Sequence, residues 1–182
     1  MTDSKAPSRN SPKRSTPYMN DAANSLYEAN PADAYPVIEW IKRTGASVDE
    51  TLAAWKAGKL AELPVGRAWD VVRIPTFEGW EVVRQLCALR VTLGPVLHTQ
   101  LGVEVLVPVG SAEDWDCPGS TVLVVGDTID VPHPAVVPPH TQNARSWISA
   151  PRSEPTLTDA ADLYGAYLSA TATMTRTNRS GR

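Results

Sequence analysis

The stretch LPVGRAWDVVRIPTFEGWEVVRQLCAL, residues 63–89, decides how the chain folds. Pro64 and Gly66 mark a turn, and AWDVVRI after it is rich in the β-branched and aromatic residues that suit a strand. Pro75 ends that strand because it has no N–H to give a ladder. Thr76 can cap the helix that follows, in which Phe77, Trp80, Val83, Leu86 and Cys87 fall on one predicted stripe, with Gly79 weakening the first turn. Downstream, GPVLHT and GVEVLVPV read as two strands joined at residues 100–102, the second with period-two alternation of Val103, Val105 and Val107 against Glu104 and Leu106. STVLVVG, residues 120–126, is a nearly unbroken apolar run, the pattern of a strand covered on both faces.

Upstream, Leu26, Val37, Ile38, Trp40 and Ile41 stand at helical spacings, with Gly45 a stop and Pro36 a predicted break into two short helices. Ser47 and Glu50 form a capping-box pattern for a helix that packs through Val48, Leu52 and Trp55 and closes at Gly58. Toward the carboxyl end, SWISAP predicts one more strand, and Thr158 is placed to cap an amphipathic helix presenting Leu163, Tyr167 and Leu168. Helices, a strand, a helix, several strands and a last helix predict an α+β (mixed α/β) class: one central sheet, mostly antiparallel or mixed, with helices packed on it.

The ends differ from this body. Residues 1–18 and 174–182 are rich in Ser, Thr, Asn, Pro and Arg and are expected to be disordered basic tails around a single domain over 19–173. The whole chain of 182 residues is at −3; each tail carries +3, so the body is at −9. That balance works against a duplex-binding groove, since phosphate neutralisation by cations dominates nucleic-acid affinity. If nucleic acid is bound, the contacts to expect are Lys5, Arg9, Lys13, Arg14, Arg176 and Arg179, with Trp115 and Trp147, which lie near turns, as stacking residues. No apolar run suggests a membrane span or secretory signal, and the two cysteines read as reduced side chains; the expectation is a cytoplasmic protein.

Little in the chain has the spacing of a reaction centre. His98, His133 and His140 match no zinc pattern, and neither a G-x-S-x-G elbow nor a phosphate-cradling glycine loop is present. Asp127 and Asp130 read as turn residues, and Ser111 as a helix cap. No cofactor, metal or catalytic residue is assigned.

Asp70 stands out as a lone carboxylate in an apolar strand. The succession TLAAWKAGKL, LPVG, AWDVVRIP, GWEVVRQLCAL, GPVLHTQLGVEVLVPVG and PGSTVLVVGDTIDVP, over about residues 47–150, resembles the bifunctional DNA primase/polymerase amino-terminal domain of the archaeo-eukaryotic primase type, including its short divergent actinobacterial members. The resemblance implies that the first strand would end in two alternating carboxylates holding divalent metal, and that the later hairpin would supply glycines and a histidine facing nucleotide phosphates. Here Val72 stands at the second acid position, followed by Arg73. Of the hairpin glycines only Gly102 fits, and His98 precedes the turn.

Asp70, Arg73, His98 and Gly102 are therefore the expected remnant of a metal-dependent cleft, because one acid cannot hold the two ions such chemistry uses. Beside this stands a structural reading of Asp70: solvent-facing, or buried and bonded to backbone, Arg67 or Arg73. The implied function is a non-catalytic, primase/polymerase-like accessory or interaction protein linked to DNA maintenance or a mobile element. The alternatives are single-strand binding through the basic tails, or a protein-binding regulatory module using the proline-rich VPHPAVVPPHTQ. The expected partners are an unidentified protein and DNA or single-stranded nucleic acid, with no membrane.

Overall fold

The structure, a computed structural model, describes residues 31–152 and 156–180, with side chains over 37–152 and 156–175. Among the described residues four helices, α1 (Pro31–Thr44), α2 (Val48–Lys56), α3 (Thr76–Ala88) and α4 (Ala160–Ser180), accompany seven strands. The strands are β1 (Ala61–Pro64), β2 (Asp70–Ile74), β3 (Val96–Thr99), β4 (Gly102–Val107), β5 (Thr121–Leu123), β6 (Thr128–Val131) and β7 (Ser146–Ser149). This is the expected α+β class, but the strands form two antiparallel sheets rather than one. A five-stranded sheet has the order β5-β2-β4-β3-β7, and β1 pairs with β6 in a separate two-stranded sheet.

The centre of the molecule is built by residues 70–107. β2 and β3 both run antiparallel to β4, which lies between them, so the pair joined through α3 is parallel and split by the returning strand. Such a split βαβ unit lets β3 and β4 form a tight hairpin while α3 covers one face. All six residues of β4 are buried, which makes GVEVLV the strand covered on both faces. The run 120–126, expected in that position, instead supplies the three-residue edge strand β5, and its Val124 and Val125 are exposed. An apolar run alone does not distinguish a central strand from an edge whose end runs into a turn.

Each face of the large sheet has its own core. On one side Val72, Ile74, Val103 and Val105 meet Val82 and Leu86 of α3 and Leu163 and Tyr167 of α4. On the other, Leu97, Leu106 and Trp147 meet Trp40 of α1, Trp55 of α2 and Leu63 and Val131 of the small sheet. Trp40 stacks on Trp69 at 6.2 Å and meets Trp147 edge-on at 5.9 Å. Two of the buried indoles find backbone acceptors: Trp55 Nε1 donates to Val131 O and Trp147 Nε1 to Pro132 O, each at 3.1 Å.

Local signals explain several element ends and misplace others. Ser47 caps α2 as expected, its Oγ accepting from Glu50 N at 3.3 Å. Helix α1 continues through Pro36 instead of breaking there, since a proline in the second turn removes only one early helix bond. Helix α3 starts without a side-chain cap, so Thr76 does not have the capping role expected of it. Its buried face is Gly79, Val82, Val83 and Leu86, leaving Phe77 80% exposed and Trp80 43% exposed. The helix turns its glycine to the sheet because a Cβ at 79 would lie 2.6 Å from the Val103 Cβ.

At α4 the cap is Asp159, whose Oδ1 accepts from Ala161 and Asp162 N–H groups; Thr158 is buried and accepts from Gly94 N at 3.0 Å. That helix also runs on through residues 174–180, where a tail was expected. Thr171, Thr173 and Thr175 fit it because their hydroxyls donate to carbonyls four residues back. The expected tail over 1–18 and the expected domain start near residue 19 lie outside the described residues. No described helix is long and apolar enough to cross a membrane.

Candidate functional site

Asp70 opens β2, and alternation along the strand points it to the same face as Val72 and Ile74. Its side chain is buried, and Oδ2 accepts a 2.7 Å hydrogen bond from Gly110 N in the turn after β4. Oδ1 is buried without a partner among the described residues. The carboxylate thus ties the β4 exit to the β2 entry, the backbone-bonded form of the structural reading. Neither Arg67 nor Arg73 is its partner.

Arg73 lies three residues on and so faces the opposite side, where its cross-strand partner is Glu104. Arg73 Nε and Nη2 meet Glu104 Oε1 at 2.8 and 2.7 Å. Glu104 is 3% exposed, and its burial pushes the carboxyl above its ordinary value. The charges of Arg73 and Arg145 oppose that rise, and Asp130 adds to it. Arg145 Nη2 reaches Asp130 Oδ2 at 3.4 Å, so two arginines and two acids form one network over this end of the sheet. Sequence reasoning passed over that network, although a glutamate among the valines of β4 was its visible signal.

His98, on β3, faces the α3 side. Its ring lies 5.8 Å from that of Trp80, and its strand neighbours are Val103 and Ser146. Gly102 begins β4 at φ +140, and a Cβ there would overlap the carbonyl oxygen of Ile74. Close approach of two backbones therefore explains this glycine without any phosphate.

The four expected cleft residues do not converge. Asp70 is opposite Val107, whereas Ile74, four residues away, is opposite Val103, so Asp70 stands about 13 Å along the strand from the end that holds His98 and Gly102. Arg73 is near that end but on the other face. Among the described residues no group of three His, Cys, Asp or Glu side chains is placed to hold a metal ion. Asp127 does serve a turn, its Oδ2 accepting from Val124 N at 2.9 Å, while Asp130 belongs to β6.

The proposed stacking residues separate in the same way. Trp147 is fully buried and cannot present a face to a base, which corrects the expectation for it. Trp115 is half-buried against Tyr164 and Tyr167, with its Nε1 donating to Ser120 Oγ at 2.8 Å. Lys5, Arg9, Lys13 and Arg14 lie outside the described residues, and Arg176 and Arg179 fall in the last turns of α4. Cys87 and Cys117 are both free thiols, as expected.

One further cluster was not foreseen. Between α1, the approach to β2 and the chain after β7 is a small cleft lined by Trp40, Arg43, Trp69, Arg152, Thr156 and Leu157. Comparison of the chain with protein-family models, with curated proteins and with solved structures found no match.

Proposed function

We propose that the protein is a binding rather than a reacting domain: a primase/polymerase-like scaffold used as an accessory or interaction module in DNA maintenance. The order of elements over about residues 47–150 carries the resemblance, and the split βαβ unit within it, residues 70–107, is compatible with that scaffold. The observation that carries it is the state of Asp70. Its strand offers Val72 where a second acid would stand, and the one carboxylate present already accepts a backbone N–H from Gly110. Metal-dependent phosphoryl transfer relies on positioned ions and has little else to work with.

Template-dependent primer extension with Mg²⁺ or Mn²⁺ tests this reading. The full chain should incorporate no more nucleotide than its Asp70→Ala variant. Incorporation that disappears in Asp70→Ala would overturn it.

A further inference from the structure

The cleft beside Trp69 combines features that the proposed function does not use. Trp69 is 2% exposed, and its indole Nε1–H has no acceptor among the described residues. A buried donor in that state is costly, and a native interior normally gives it an oxygen. Arg43, in the last turn of α1, and Arg152, after β7, bring two exposed guanidiniums to the same cleft, and neither is in an ion pair among the described residues. Thr156 adds a hydroxyl, and among the described residues no acidic side chain lines the cleft. Trp40, Trp69 and Leu157 make the rest of the wall apolar.

The geometry points to a binding site for a carboxylate carried on a small apolar body, seated between Arg43 and Arg152 with one oxygen accepting from the Trp69 indole. The free space is about 30 Å³. That admits roughly two water-sized groups. Two carboxylate oxygens fit such a space, and the body that carries them would lie along the Trp40 and Leu157 wall toward the open side of the cleft, where a phosphate has no apolar part to place. Planar guanidiniums pair with a carboxylate through parallel charge-assisted hydrogen bonds, and the apolar wall accepts the body that such an acid brings. The acid is either a free small molecule or the terminal residue of another chain; both present the same head group.

The test is an NMR titration of the ¹⁵N-labelled full chain, following the Trp69 indole N–H signal, assigned through Trp69→Phe. Benzoate should shift this signal saturably, and its neutral isostere benzamide should not. Replacing both exposed cations, Arg43→Gln with Arg152→Gln, should weaken benzoate binding by roughly tenfold or more while the other indole signals stay in place. N-acetylphenylalanine serves as the chain-terminus probe: tighter binding than benzoate assigns the site to a terminal residue, and weaker binding to a free acid. The proposal is overturned by a benzoate titration without saturation, by an equal response to benzamide, by unchanged affinity in the double variant, or by a response to inorganic phosphate in place of benzoate.

Discussion

Glu104 is the residue whose charge state should be felt most in solution. Its folded value is raised above the ordinary 4.5, chiefly by burial, with Arg73 and Arg145 pulling the other way. The folded protein then holds this proton more tightly than the unfolded chain does. The resulting stabilisation is full below the ordinary carboxylate value and is lost as pH rises through the raised folded value. In urea titrations between about pH 4 and pH 7, the stability of the natural chain relative to Glu104→Gln should therefore fall with rising pH. A flat difference would mean that the Arg73 pair cancels the effect of burial. At this scale the sequence revealed which residues are unusual, Asp70 and Glu104 above all, but not their partners. Asp70 meets Gly110 across 40 positions and Arg73 meets Glu104 across 31, and neither pairing has a local signature.

Elements were legible where the signal is local. The Ser47 cap, the hairpin of β3 and β4, and the terminal strand β7 all follow from spacing and turn chemistry. The face that α3 buries followed only at Val83 and Leu86, because hydrophobicity favoured Phe77 and Trp80 where close approach favoured Gly79. Two helix glycines turn this into a measurement. At Gly165 of α4 a Cβ would meet nothing within 4 Å, so Gly165→Ala should stabilise the fold by about 0.5–1 kcal/mol through helix propensity. At Gly79 the same change meets Val103 at 2.6 Å and should destabilise by about 1–3 kcal/mol despite the same gain in propensity. Thermal or urea unfolding of both variants checks the pair, and a stabilising Gly79→Ala would mean that α3 sits further from the sheet.

For the whole molecule, the α+β class was readable from element order, whereas the division into two sheets was not. β1 and β6 pair Ala61 with Val131, a contact that closes around most of the domain and leaves only short apolar segments as its trace. The small sheet matters because it helps α1 and α2 cover the second face of the large one, so the Trp40, Trp55, Trp69 and Trp147 core is buried, and only its edge at Trp40 and Trp69 lines the cleft. Both cores share β4, which contributes Val103, Val105 and Val107 to one and Leu106 to the other. Loss of either layer exposes that strand, so the two faces should unfold together. Tryptophan fluorescence, weighted to the four indoles of the α1–α2 side, and far-UV circular dichroism should then give one coincident urea transition. Two separated transitions, with fluorescence changing first, would show that the tryptophan-rich layer is a unit stabilised independently of the split βαβ centre.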